Sequence, residues 1–262
     1  MHNLIDLDRY PLDRPDSPEW QALVATAKDE LARDGMFNLE GFLKPEAIAA
    51  DVGLLAPRFA TGAYTHARRH NVYFRKEVPD VAPDHPALVL FDTKSHTLCA
   101  DQLAGTAVMR LYDWAPFARF LAAAMDKPAL FTMSDPLARL NAMAYGEGEG
   151  LNWHFDRSEF TTTLLLQAPQ AGSVFEYRSN LRSDTDPNYD GVARLLRGDD
   201  AEKKSLALKP GTLNVFRGKN TAHRVTPAEG IRSRMIAVFS FYDRPGVTFS
   251  DEERLGFYGR AA

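Results

Sequence analysis

A chain of 262 residues, 45% hydrophobic and 25% charged, is long enough to bury a substantial core as a single domain. Its net charge of −4 gives no reason to expect nucleic acid or an anionic membrane as partner. Cys99 is the only cysteine, which excludes an internal disulfide, and no apolar run approaches the roughly 20 residues that span a bilayer. With an acidic, proline-punctuated N-terminus that lacks a signal-like apolar core, these features lead us to expect a soluble, cytoplasmic protein acting on a small molecule.

The first element is a helix. Ser17 suits the N-cap, Pro18 the first turn and Gly35 the position after the end, with Trp20, Leu23, Val24, Ala27 and Leu31 at helical spacing. MFNLEGFL then reads as a short strand and turn, and Lys44-Pro45-Glu46 opens a second helix through Val52 to about Pro57. Arg68, Arg69 and His70 read as a solvated basic face, Asn71 to Phe74 as a strand, and the segments around Pro79, Pro83 and Pro86 as loops. A helix over about Pro116 to Met125 carries Phe117, Leu121 and Ala124 on one side.

From Leu137 the periodicity changes to two. LARLNAMAY sets Arg139, Asn141, Met143 and Tyr145 on one face and Leu140, Ala142 and Ala144 on the other, before glycines 146, 148 and 150 break the strand. FTTTLLLQ, SVFEYR, SLAL, TLNVF, AHRV and RMIAVFSFYD supply further short strands. Residues 183–204 form a polar excursion around a short amphipathic helix, expected to serve as a lid. Short strands and glycine or proline turns with helices at the N-terminal end predict a mainly β jelly roll in one domain. Residues 1–136 are its helical support and first strands, and 137–245 its core.

Chemistry concentrates in NWHFDRSEF. On an extended segment His154 and Asp156, two residues apart, project from one face and can take adjacent corners of a metal. His223, 67 residues beyond Asp156, offers a third ligand, giving the two-histidine, one-carboxylate set of non-haem Fe(II) oxygenases. Arg234 shares a strand face with Ile236, Val238 and Ser240; turned inward, it needs an anion, and a dicarboxylate would satisfy its fork. Arg232 and Arg224 are the alternatives for that role.

YGEGEGLNWHFD, TAHRVTP and RMIAVFSFYD together resemble the Fe(II)/2-oxoglutarate-dependent dioxygenases. Within them the chain looks most similar to the branch of free-amino-acid halogenases and their hydroxylating relatives. DGMFNLEGFLKPE looks like the opening of many members. The resemblance implies a cupin-like double-stranded β-helix and His154, Asp156 and His223 as iron ligands, with 2-oxoglutarate and dioxygen as co-substrates and ascorbate as a stimulant. It makes Arg234 the partner of the co-substrate's distal carboxylate, with Tyr145 and Asn141 as further co-substrate contacts. A homodimer is a further expectation.

Two departures from the branch carry predictions. Halogenases of this branch have glycine or alanine where this chain has Asp156, which leaves a metal position open for chloride. The carboxylate therefore points to hydroxylation or another oxidation over chlorination. Lysine-acting relatives have an acidic residue where Arg157 stands, so Arg157 either faces the pocket and selects an anionic or polar substrate, or turns out and pairs with Glu159. Glu176 is a second tentative substrate contact. A halogenase and a metal-binding sensor without turnover are the competing readings.

Overall fold

The structure is a computed structural model that describes residues 1–78 and 81–261; Pro79, within one expected loop, lies outside them. Seven strands form the main sheet, in the spatial order Met36–Leu39, Leu213–Phe216, Thr161–Gln167, Arg234–Phe239, Leu140–Tyr145, Phe91–Leu98 and Tyr64–His70. A smaller sheet of four faces it, in the order Lys204–Leu206, Phe175–Arg178, Ala222–Val225 and Leu151–His154. All pairings between these strands are antiparallel, and the two sheets make the jelly roll of a double-stranded β-helix.

The two faces of the main sheet differ in chemistry. Leu98, Ala142, Leu164, Ala237 and Phe239 lie on its outer face and are buried under helices α1 (Pro18–Asp34), α2 (Pro45–Gly62), α3 (Ala107–Tyr112) and α4 (Ala115–Ala124). Helix α1 forms where expected: Ser17 accepts from Trp20 N at 3.2 Å, and Gly35 closes the helix at φ +74°, a left-handed conformation that glycine takes without steric cost. Phe117 of α4 meets Phe239 edge-on at 5.4 Å, tying helix to sheet. Asp51 of α2 is buried and accepts from the Ala107 and Val108 amides, capping α3.

Several boundaries differ from expectation. Helix α2 continues past Pro57 to Gly62, since Gly53, whose carbonyl the proline leaves unpaired, is exposed to water. Asn71 to Phe74 is a turn instead of a strand, because Asn71 Oδ1 accepts from the Tyr73 and Arg75 amides and curls the chain. The strand lies just before it, at Tyr64–His70, with its even-numbered side chains turned inward and its odd ones exposed. Arg68 and His70 are therefore interior residues, not parts of a solvated face. A C-terminal helix, α6 (Asp251–Tyr258), opens with a Ser250–Glu253 capping box and closes one end of the barrel.

The 183–204 excursion carries α5 (Tyr189–Arg197). Its Val192, Ala193 and Leu195 pack with Val72, Tyr73, Trp153 and Phe155, and Tyr73 Oη donates to the Pro187 carbonyl at 2.8 Å. None of the described helices is long and apolar enough to cross a membrane.

Candidate metal centre

The inner face of the main sheet carries Thr93, Ser95, Thr97, Asn141, Met143, Tyr145, Thr163 and Arg234, and this polar wall looks onto the smaller sheet. Opposite it His154 and His223 are direct cross-strand partners with ring centroids 4.0 Å apart. Asp156 follows in the loop after His154, its Oδ1 3.3 Å from His154 Nε2 and its Oδ2 3.4 Å from His223 Nε2. All three ligand atoms lie within 4.8 Å of one another, the only such group of its kind among the described residues.

Hydrogen bonds aim the ligands. His154 Nδ1 donates to the Asn152 carbonyl at 2.7 Å and His223 Nδ1 to the Thr221 carbonyl at 2.9 Å. With the proton on Nδ1, each Nε2 presents a lone pair to the space beside Asp156. Burial lowers the His223 pKa to about 4, helped by the neighbouring His154, so its ring is neutral and fit to ligate near pH 7. Burial alone would raise the Asp156 carboxyl. His223, His154 and a hydrogen bond from Thr161 outweigh it and hold the group well below the usual range.

Asp156 also depends on a backbone contact that the residue pattern did not signal. Its amide donates to the Gly218 carbonyl at 3.0 Å, and a Cβ on Gly218 would fall 2.4 Å from Asp156 Oδ2 and from Thr161 Oγ1. Only glycine lets the carboxylate sit there. Phe216 and Phe175 stack around His223 at 4.7 and 5.7 Å, shielding that side of the centre from water.

Arg234 pairs in register with Tyr145 at one end of the inner face. It is buried, and it makes no ion pair and no side-chain hydrogen bond among the described residues; the Tyr145 ring lies 5.8 Å from the guanidinium carbon. A guanidinium stays charged, so this burial leaves a cation in want of an anion. Burial pushes the Tyr145 pKa up to about 12, against the opposing charges of Arg234 and Arg68, and among the described residues its hydroxyl has only Met143 Sδ, at 3.9 Å, as partner. Three convergent metal donors beside an orphaned cation fit Fe(II) and a carboxylate co-substrate.

Other expected contacts lie elsewhere. Asn141 is tied up at the closed end, donating to the Leu137 and Leu140 carbonyls and accepting from Tyr258 Oη of α6. Glu176 is on the outer face of the smaller sheet, bound to Lys203 and Arg224, because strand alternation turns it away from the neighbouring Phe175 and Tyr177. Arg157 is exposed and pairs with Glu253 of α6 at 3.0 Å, while Glu159 pairs with Lys127. Arg232 donates to the Pro169 carbonyl and Arg224 pairs with Glu176, so neither takes the interior position of Arg234.

The family model described as halogenase D matches residues 94–249. No curated protein matches the sequence. Among solved structures, the chain is similar to an oxidoreductase of the 2OG-Fe(II) oxygenase family from Burkholderia pseudomallei, at 14% identity and a TM-score of 0.52. That match covers 86% of this chain and 92% of the other. It is also similar to a Pseudomonas putida prolyl-4-hydroxylase, at 16% identity over 82% and 97% of the two chains with a TM-score of 0.51. A non-heme alpha-ketoglutarate-dependent epimerase, SnoN, from nogalamycin biosynthesis gives a TM-score of 0.56 at 14% identity over 83% and 82%. At these identities the likeness concerns the fold.

Proposed function

The chain belongs to the halogenase D family, and from that premise we propose that it is an Fe(II)- and 2-oxoglutarate-dependent oxygenase that hydroxylates an unactivated C–H bond of a small polar molecule, a free amino acid or a derivative. Asp156 is the observation that carries the reading. Its carboxylate stands within 3.4 Å of both histidine Nε2 atoms and fills the corner that a halide would need.

His154, Asp156 and His223 would hold the iron, which with 2-oxoglutarate and dioxygen supplies oxidative cleavage of the C–H bond. The protein's part is placement. Thr161 and Gly218 fix the carboxylate, and the Asn152 and Thr221 carbonyls fix the two imidazoles. The Arg234 fork would take the distal carboxylate of the co-substrate, and the protonated Tyr145 hydroxyl could donate to it.

The test is incubation with Fe(II), ascorbate, 2-oxoglutarate, chloride and pooled amino acids, read by mass spectrometry. A gain of one oxygen on one component, matched by succinate, is the expected outcome. Replacement of hydrogen by chlorine would overturn hydroxylation, and Fe(II) binding without succinate from any component would favour a sensor.

A further inference from the structure

Besides Arg234, two more arginines approach the metal centre without a counter-charge. Arg68, on the inner face of strand Tyr64–His70, is partly buried; its Nε has no partner, and it forms no ion pair among the described residues. Its guanidinium carbon lies 4.2 Å from the Phe74 ring centre, and that ring lies 5.8 Å from His154. Phe74 is held there at φ +56°, a conformation rare for a bulky side chain, by the turn in which Asn71 bonds the Tyr73 and Arg75 amides and the Arg75 carbonyl. The strained phenylalanine is a floor on which Arg68 rests beside the metal ligand.

Arg182 approaches from the start of the excursion. Its Nε donates to the Lys219 carbonyl at 2.7 Å and its guanidinium lies 4.0 Å over the Phe155 ring, leaving both Nη groups without a partner among the described residues. Phe155 stands between His154 and Asp156 in the chain, so Arg182 lies beside the segment that carries two of the three metal donors. Several acidic groups nearby are already engaged: Asp156 with the two histidines, Asp184 with Lys219, and Glu149 with Lys94 and His96. Asp92 is on the exposed face of its strand. Two guanidinium forks are left to receive anions.

We propose that the substrate is an acidic molecule whose two anionic groups are held by Arg68 and Arg182, beside the metal triad; this rests on the oxygenase reading and adds the charge of the substrate to it. Arg157, outside the pocket, has no part in this selection. Carboxylate and phosphate both fit a guanidinium fork, and the test separates them.

The anaerobic protein with Fe(II) and 2-oxoglutarate is titrated calorimetrically with L-aspartate, L-glutamate, O-phospho-L-serine, L-leucine and L-lysine. At least one acidic probe binds more than roughly tenfold tighter than leucine and lysine, and Arg68→Gln and Arg182→Gln each weaken it by roughly tenfold or more. Preference for aspartate or glutamate assigns carboxylate, and preference for phosphoserine assigns phosphate. Arg68→Lys, which keeps the charge and loses the fork, retains intermediate affinity and serves where the glutamine variant misfolds. Leucine or lysine binding as tightly, no binding by any acidic probe, or acidic binding indifferent to both arginines overturns the proposal. Succinate formation with each probe separates the two readings. Turnover with lysine or leucine leaves the oxygenase standing and removes the acidic substrate, whereas arginine-dependent acidic binding without any succinate does the reverse.

Discussion

The two faces of the main sheet are built from the same strands and obey opposite rules. On the outer face every large side chain is matched: Phe239 meets Phe117, Leu98 and Leu164 sit in the helical core, and the buried Asp51 finds two amides. On the inner face, among the described residues, Arg234 and Arg68 are left without an ion pair and Tyr145 with only a sulfur. Unmatched buried charge is costly to stability, so its concentration on one face marks where binding takes precedence over folding.

That contrast can be broken most sharply at the metal. Asp156→Ala or His223→Ala is expected to reduce succinate formation to background and abolish stoichiometric Co(II) binding, while the melting temperature of the metal-free protein changes little. A large loss of melting temperature instead would make the triad structural. The next largest effect sets one face against the other. Phe117→Ala should lower unfolding stability by about 3–5 kcal/mol in denaturant, through the cavity it leaves, without altering 2-oxoglutarate affinity. Arg234→Met should do the converse, weakening 2-oxoglutarate by about a hundredfold in equilibrium titration while leaving the ligand-free protein as stable or more so.

Gly218→Ala should act between these extremes. The added methyl displaces Asp156 and is expected to cost roughly 10–100-fold in metal affinity, read by competition with a chelating dye. The smallest effect is expected in acid, at the end of the barrel that α6 closes. Burial opposes ionisation of Asp135, yet the Ala138, Phe249 and Leu137 amides and Arg254 keep its pKa below the ordinary value of 3.8. Its folded pKa being the lower one, the stabilisation it gives is present above about pH 4 and lost as the pH falls through the folded value. Amide exchange of α6 should accelerate over that range, and Asp135→Asn should flatten the dependence.

The sequence was readable where one periodicity dominated. Leu140–Tyr145 alternates cleanly because one of its faces is helix-covered and the other turns to the interior of the barrel, and His154, Asp156 and His223 come together as one group of possible ligands. Tyr64–His70 escaped notice because its interior face, with His66, Arg68 and His70, is as polar as its exposed one. Phe74 reads as a strand residue, and only the Asn71 side chain reveals the turn. The roles of Arg182 and Gly218 depend on groups across the barrel and along another loop, contacts that no local pattern carries. Glu176 misled because strand alternation decides which side of the sheet it takes, and of the two readings of Arg157 the outward one holds, with Glu253 instead of Glu159 as its partner.

Both metal-facing imidazoles are anchored to the carbonyl two residues before them in the chain, at Asn152 and Thr221. The rings are therefore set before any ion arrives, and loading needs no refolding of the strands. A vessel so prepared does not choose its guest by shape alone. By the general order of divalent affinities, copper, nickel and zinc would outcompete iron for the same two nitrogens and carboxylate. Purified protein should accordingly carry the ions of its growth medium, and its occupancy by iron should follow cellular supply more than any preference of its own.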